Sequence, residues 1–329
     1  MNITGGRVGL GFEGIASEVT ISGGSVGDRF DVFSNSTVQI SGGRVGSRSS
    51  AGDGSTLTIS AGQLEDDFQA LAGSTVNIRG GRVGEDFQAF ADSTVNMISG
   101  TVGDGFEALS GSAVNLFGGG ISDRFTSRLG AITTISGFDF RIDDEPVPGL
   151  SQVGDVIAAN IRQSAWLTGV LSDGTPLLFR SRHFAEGSLR LELSIPAPLG
   201  PSVINVPSDT VPFGLHGGQT LNLAEDGVLG DNFRAIHRSR VNIAGGRVGN
   251  NFEAIGSVVA ISGGSVGDSF VARSGTAILI SGGQVSSFTA SDPSTIVTIR
   301  GGRVGDGFRS SRDALVNIHG FDFRIDGAP

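Results

Sequence analysis

The sequence predicts an all-β protein whose strands stack as a parallel β-helix, and three observations support this prediction. A motif of about 19 residues recurs along most of the 329 residues. Within each copy, apolar and polar residues alternate as they do in a half-buried strand. A glycine pair follows, where the chain must turn. A fixed period near 20 residues is typical of a solenoid in which each repeat forms one coil.

The apolar residue before each glycine pair measures the period. In the first half of the chain these residues are Ile3, Ile21, Ile40, Ile59, Ile78, Met97, Leu116 and Ile135, which lie 18 residues apart once and 19 thereafter. In the second half they are Leu223, Ile243, Ile261, Ile280, Ile299 and Ile318, with steps of 18 to 20. The chain therefore contains two arrays of coils.

Each coil is predicted to contain three short strands. The first has the pattern V-x-I, the second is centred on a lone valine, and the third has the pattern F-x-A. Stacking at about 4.8 Å per rung would align the inward residues of successive coils, among them Phe68, Phe87, Phe106 and Phe125. Because parallel crossovers are overwhelmingly right-handed, we expect a right-handed β-helix.

The period stops between the two arrays. We therefore divide the chain into a first array over residues 1–137, a small β-sandwich-like cap or spacer module over 138–218, and a second array over 219–320. Within the module, Asp173-Gly174 predicts a β-hairpin and "SLRLELSI" predicts a further strand. Residues 321–329, "FDFRIDGAP", repeat the beginning of the module, "FDFRIDDEP", and are interpreted as the start of a second, incomplete module.

Composition excludes several classes of function. The formal net charge is −10 at pH 7, with histidine counted as neutral, and every cationic side chain is then arginine. A nucleic-acid partner, which needs a clustered basic face, is therefore not expected. The absence of lysine excludes a P-loop and a Schiff base. With no cysteine, the chain has no disulfide or thiolate chemistry, a composition that suits an extracellular protein. No apolar run is long enough to span a bilayer. The chain begins at the first array with no basic n-region or apolar h-region, so we expect that a signal peptide is either absent or has been removed.

One position in the coil carries a column of acidic residues, Asp66, Glu85, Asp104 and Asp123. Stacked carboxylates about one rung apart repel each other, and a cation would relieve that repulsion. "GGRVGDGFR" and "GTVGDGFE" resemble the RTX calcium-binding nonapeptide, although valine replaces its fourth-position glycine and the other half of each coil lacks the motif. The resemblance implies a weak calcium site at these four residues, and the alternative is a solvated turn.

Two further columns are predicted on the outside of the coils. Arginine follows the glycine pair in every second rung, at Arg7, Arg44 and Arg82, which keeps like charges apart or forms a basic stripe for an acidic polysaccharide. Asn77, Asn96 and Asn115 predict an amide ladder along the stack. The alternative for this row is a flat surface that meets ice or a glycan.

No group of residues specifies a catalytic site. A polysaccharide lyase or glycosidase needs paired carboxylates or a base placed once, outside the repeat. The four histidines, His183, His216, His237 and His319, are widely scattered in the sequence. The sequence therefore favours a protein that is not an enzyme, with a polysaccharide-binding or polysaccharide-degrading β-helix as the alternative.

The shared motif S-T-V-N-I-x-G-G-x-V-G-D-x-F resembles the long repetitive β-solenoid proteins of bacterial cell surfaces, over both arrays but not the module. The resemblance implies a secreted or cell-surface protein that acts as a spacer, adhesin or matrix component. Its partners would be other copies of itself or a cell-surface polysaccharide. Because the first coil and the final coil share one pattern, we also expect head-to-tail association into filaments.

Overall fold

A computed structural model describes residues 1–121, 124–159, 161, 165–195, 202–292 and 294–320. The described residues are nearly all β and form a parallel β-solenoid of about 16 turns, spaced about 19 residues apart. The predicted fold class is thus confirmed, and the right-handed sense stays a prediction. The chain divides into two compact units, Met1–Pro198 and Leu199–Pro329.

The first strands of the coils in unit 1 pair in parallel, each with the next coil. They are Asn2–Ile3, Glu18–Ile21, Thr37–Val45, Thr56–Leu64, Thr75–Val83, Thr94–Val102, Ala113–Leu116 and Ile132–Ile142. The register aligns equivalent residues, so that Ile59 and Met97 flank Ile78 in the adjacent strands. This is the alignment that the period of the sequence predicts.

The second and third strands of unit 1 complete each coil. The separate second strands are Arg7–Val8, Ser25–Val26 and Gly120–Ile121; in the longer coils the second strand is the end of the first one. The third strands are Glu13–Ile15, Asp31–Phe33, Ser50–Ala51, Gln69–Ala70, Gln88–Ala89, Glu107–Ala108 and Thr126–Ser127, and they form a parallel sheet of their own. Each coil therefore has two faces of sheet and an apolar interior.

The predicted phenylalanine ladder fills the interior of unit 1. The rings of Phe87 and Phe106 are stacked with centroids 4.6 Å apart, and Phe68 and Phe125 continue the row on either side at 5.5 and 5.0 Å. Ser49 takes the ladder position in one coil and is fully buried. Its Oγ accepts a hydrogen bond from the main-chain N–H of Phe30 at 3.1 Å, which satisfies the buried hydroxyl.

The module is an insertion that returns to the solenoid. Its elements are the strands Glu145–Pro146, Val156–Ala158, Trp166–Leu171, Pro176–Arg180 and Leu189–Leu193, with a 3₁₀ turn at Ser181–His183. The strands Trp166–Leu171 and Pro176–Arg180 pair antiparallel, which confirms the predicted hairpin. Leu189–Leu193 instead pairs in parallel with Ile132–Ile142, which is the last of the first strands of the array. The predicted strand in "SLRLELSI" therefore extends the stack of coils by one rung.

A tight turn precedes the strand Val156–Ala158. The Asp155 Oδ2 accepts hydrogen bonds from the main-chain N–H groups of Gln152 and Ser151, at 2.7 and 2.8 Å. These two bonds favour the ionised carboxylate and hold the pKa of Asp155 below its usual value. This short-range Asx-type contact fixes the loop that leads the chain back toward the solenoid.

Unit 2 repeats the design of the coils. Its first strands are Val203–Val206, Thr220–Leu223, Arg240–Ile243, Val258–Ile261, Ala277–Ile280, Ile296–Ile299 and Leu315–Ile318. The second strands are Val228–Leu229, Arg247–Val248, Ser265–Val266, Gln284–Val285 and Arg303–Val304, and the third strands are Gly214–Leu215, Arg234–Ile236, Glu253–Ile255, Phe270–Arg273, Phe288–Ala290 and Arg309–Ser310. Each set forms its own parallel sheet.

The unit boundary differs from the boundaries placed on the sequence. The first stacked strand of unit 2, Val203–Val206, pairs with Thr220–Leu223 and lies inside the range 138–218 assigned to the module. Residues 138–198 of that module belong to unit 1 with the first array, and its remaining residues belong to unit 2. The proposed second module at 321–329 lies outside the described residues. Within the described parts of the chain, no helix has the length and apolarity needed to cross a membrane.

Candidate functional site

The acidic column lies at the turn between the second and third strands of each coil. In this turn the residue after the column position has a left-handed backbone, with φ of +62° at Asp67 and +56° at Asp86. Aspartate, asparagine and glycine tolerate this conformation better than other residues. The left-handed residue directs its own N–H to the next coil, as Asp67 does to the carbonyl oxygen of Glu85 at 2.9 Å.

The side chain at the column position makes a second bond to the next coil. The Asp66 Oδ1 accepts a hydrogen bond from the main-chain N–H of Glu85 at 2.9 Å. The same bond joins Asp28 to the N–H of Ser47 at 3.1 Å, and in unit 2 it joins Asp231 to the N–H of Asn250 at 2.6 Å. An oxygen acceptor at this position therefore ties one turn to the next.

The structure brings Asp66 and Glu85 together in adjacent turns on the exposed surface, with Asp104 half-buried in the turn after them. Asp123 lies outside the described residues. Among the described residues, no group of three or more histidine, aspartate or glutamate side chains is arranged to hold a metal ion. Calcium binding at Asp66, Glu85, Asp104 and Asp123 stays a prediction of the sequence.

Replacing Asp66 with alanine tests its role as an acceptor between turns. We expect a loss of about 0.5–1 kcal/mol in the free energy of unfolding, since one hydrogen bond to the Glu85 N–H is removed. Asp66→Asn keeps an acceptor oxygen and is expected to retain most of that stability. Urea unfolding of both variants measures the difference. Equal losses in the two variants would show that the carboxylate charge, and not the acceptor, is what stabilises the turn.

The predicted amide ladder is present on the outer face of the first strands. The Nδ2 of Asn96 donates to the Oδ1 of Asn77 at 2.9 Å, and the Nδ2 of Asn115 donates to the Oδ1 of Asn96 at 2.9 Å. Unit 2 contains an equivalent row, in which Asn242 donates to Asn222 at 2.8 Å. These amides stabilise the stack by joining one rung to the next.

An arginine of the predicted alternating column makes an ion pair across a turn. The Arg44 Nε lies 2.6 Å from the Oε1 of Glu65, a residue of the following coil. This hydrogen bond, and next the charge of Glu65, raises the pKa of Arg44 above its ordinary value. The column position thus serves contacts between turns at this rung.

A cluster of charged side chains lies on the third strands of unit 2. The Glu253 Oε1 accepts a hydrogen bond from the Nη2 of Arg273 at 3.1 Å, and its Oε2 lies 3.8 Å from the Nε of Arg234. All three residues are buried. Arg234 and Glu253 occupy aligned positions in adjacent strands. This network, which the sequence analysis missed, joins three successive rungs.

A groove of about 670 Å³ lies on the outer face of the third strands in unit 1. The turn column forms one wall, with Asp67, Asp86, Gly105 and Arg124 in successive coils. The outward residues of the third strands, Gln88, Glu107 and Thr126, form the floor. Arg128, Arg182 and His183 complete the lining. The groove is thus built from the solenoid together with the module's 3₁₀ turn.

Contacts of the module with the last third strand fix that end of the groove. The ring of His183 is buried, and its Nδ1 is hydrogen-bonded to the carbonyl oxygen of Phe125. The main-chain N–H of Ala185 donates to the carbonyl oxygen of Ser127 at 2.9 Å. The ring of Phe184 lies edge-on to Phe125, with centroids 5.9 Å apart. These contacts hold the neighbouring Arg182 beside the solenoid.

Sequence reasoning missed the groove. In the sequence His183 is one of four scattered histidines, and no motif contains Arg182. The polar residues that follow each ladder phenylalanine at Gln88, Glu107 and Thr126 were a usable signal, since they mark an outward row in register. No comparable signal marked Arg182, because the pairing that brings it there is not part of the repeat.

Comparisons of the chain with protein-family models, with curated proteins and with solved structures find no match.

Proposed function

We propose that the protein is a non-catalytic structural solenoid of the cell surface or extracellular space, where it acts as a spacer, an adhesin or a matrix component. The observation that carries this proposal is that outward side chains form hydrogen bonds and an ion pair between neighbouring coils. Asparagines, turn aspartates and an arginine–glutamate pair all bond from one coil to the next. These polar groups therefore stabilise the stacking of one coil on the next.

Such a design suits a structural role for a physical reason. Each coil contacts only its neighbours, so the stability of the stack is approximately a sum of coil and interface contributions. A further coil adds surface without requiring a new core. Secretion agrees with the absence of cysteine and with the acidic net charge of −10, since an extracellular chain without thiols cannot misoxidise. Head-to-tail association of copies likewise rests on the sequence alone.

Incubation with a panel of acidic and neutral polysaccharides tests the non-catalytic part of the proposal. We expect no release of reducing ends above that of a heat-denatured sample, because the described outward columns serve contacts between coils. Reproducible depolymerisation of one polysaccharide would overturn the proposal. It would favour a lyase or glycosidase instead.

The second candidate function is a polysaccharide-binding or polysaccharide-degrading β-helix protein. The groove of unit 1 is the observation that favours it, because it places charged side chains, the amide of Gln88 and the hydroxyl of Thr126 around one concave surface. Its volume of about 670 Å³ is within the range of ligand sites. Binding alone is compatible with an adhesin, so the first and second candidates differ chiefly in whether a sugar chain is cut.

A further inference from the structure

We infer that the groove of unit 1 binds an acidic oligosaccharide, with a carboxylate or sulfate group at Arg124 and Arg182 and sugar hydroxyls at Asp67 and Asp86. The inference rests on polysaccharide binding, the second candidate function, and it names the chemical class of the ligand. It does not depend on whether the solenoid has a structural role.

The charges in the groove are separated along its length. Glu107 and Arg128 form an ion pair in the middle. Asp67 and Asp86 lie on the coils to one side, while Arg124 and Arg182 lie at the module end. Both of these arginines are exposed, and neither is in an ion pair with any residue that the structure describes. The module end can therefore hold an anion that the opposite end would repel.

Hydrogen-bonding capacity restricts the ligand further. A guanidinium group only donates and a carboxylate only accepts, whereas a sugar hydroxyl does both. Arginine binds a planar or tetrahedral oxyanion through two parallel N–H groups. The floor residues Gln88 and Thr126 can donate and accept. An oligosaccharide with an acidic substituent can place its anionic group at the arginines and donate hydroxyl hydrogen bonds to the aspartates.

The dimensions favour several linked sugars over a single one. The wall runs from Asp67 to Arg124 over three coil steps. At about 4.8 Å per rung, this distance is about 14 Å. A ligand that contacts both ends must therefore be extended. A polynucleotide is disfavoured, because Asp67 and Asp86 would face its backbone phosphates.

An extended peptide fits this floor less well than a glycan. A peptide that docks on a sheet usually adds a strand to an open edge and bonds through its main chain. The floor strands Gln88–Ala89 and Glu107–Ala108 are already paired in parallel on both sides. Only their side chains remain for a ligand. Arg182 is held in place by the contacts of His183 and Ala185, which lowers the ordering cost of binding.

Isothermal titration with defined oligosaccharides tests the inference on the full chain. The acidic probes are a galacturonic acid tetramer and a chondroitin sulfate tetrasaccharide, and the neutral control is the carboxyl-reduced galacturonic acid tetramer. We expect binding of at least one acidic probe that is at least tenfold tighter than that of the neutral control and that weakens as salt rises. Failure of the wild-type protein to bind either acidic probe at millimolar concentration would overturn the inference.

Arginine variants locate the site. Arg124→Gln and Arg182→Gln are each expected to weaken binding of the acidic probe at least tenfold. Arg79→Gln removes an exposed arginine of the same unit outside the groove and is expected to leave affinity within about twofold of wild type. Melting curves that match wild type establish that the variants fold. Equal affinities in all three variants would refute the groove as the site.

A parallel assay for released reducing ends separates the two proposals. Binding without release supports the groove and leaves the non-catalytic structural role intact. Release that Arg124→Gln abolishes supports the groove as a glycan site but overturns the non-catalytic proposal. Release that is unaffected by either groove variant, without binding of the probes to the groove, overturns both.

Discussion

Replacing Gly283 with alanine is expected to lower the free energy of unfolding of unit 2 by about 3 kcal/mol or more. Part of this loss is expected to come from a clash with the main chain of the neighbouring coil. Gly283 has a φ of +72°, which an alanine adopts only with strain. A Cβ at this position would also lie 2.5 Å from the carbonyl oxygen of Gly263 and 2.8 Å from its carbonyl carbon. Both are main-chain atoms of the adjacent turn, so relief requires the coils to move apart.

Gly275→Ala is the matched control for this change. Gly275 precedes the strand Ala277–Ile280, which Gly283 follows, and it has nearly the same φ, +71°. Its Cβ, however, would meet no atom closer than the Gly256 Cα at 3.7 Å. We expect a loss of only about 1–2 kcal/mol, the cost of a left-handed alanine alone. Denaturant unfolding followed by circular dichroism measures both. Similar losses would mean that the close approach between coils makes no separate contribution.

The stacked coils could be predicted from sequence because their determinants are local and repeated. The spacing of Ile40, Ile59 and Ile78 fixed which residues align, and the parallel register pairs these residues as expected. The glycine pairs separate the first and second strands in coils such as that of Ser25–Val26. In the longer coils, Gly42-Gly43 and Gly80-Gly81 instead lie inside the continuous strands Thr37–Val45 and Thr75–Val83, at register shifts in the pairing. The period could not show why the second residue of a pair is glycine. The reason is that a Cβ there would clash with the main chain of the adjacent coil, as at Gly283. That clash depends on how closely two coils stack.

The ends of the two arrays were harder to predict because the spacing between aligned residues departs from 19 there. Val206 aligns with Leu223 in the sheet, but the intervening "PSDTVPFGLHGG" does not follow the common pattern. Leu191 aligns with Ile135 after an excursion through the module. In both places the strand keeps its V-x-I-like alternation and loses the fixed spacing. A reading based on period alone therefore assigns such strands to the module.

The candidate site was predictable only in its outline. The sequence identified the column that contains Asp66 and Glu85, because both occupy one position in the coil. It could not show that the Asp66 carboxylate accepts the Glu85 main-chain N–H, since that contact depends on the left-handed residue between the column and the third strand. The groove depends in addition on His183 meeting the carbonyl of Phe125, 58 residues earlier in the chain.

Shortening Phe87 to alanine is expected to cost unit 1 about 3–5 kcal/mol of unfolding free energy, the range for a large aromatic side chain removed from a core. Phe87 is 1 % exposed. Its ring stacks on Phe106 at 4.6 Å with an interplanar angle of 8°, and it contacts Phe68 at 5.5 Å on the other side. Alanine would interrupt the ladder and leave a cavity between two rungs that cannot close without shortening the stack.

Two further variants separate burial from ring stacking. Phe90→Ala removes a half-buried phenylalanine three residues away in the same coil and is expected to cost about 1 kcal/mol, since less apolar surface returns to water. Phe87→Leu keeps most of the buried volume and loses the stacked pair, so we expect an intermediate cost of about 1–2 kcal/mol. Because each coil contacts only its neighbours, hydrogen exchange after Phe87→Ala should accelerate first in the coils that contain Phe68 and Phe106. Uniform acceleration across unit 1 would instead show that its coils unfold as one cooperative body, and the nearest-neighbour description of the stack would fail.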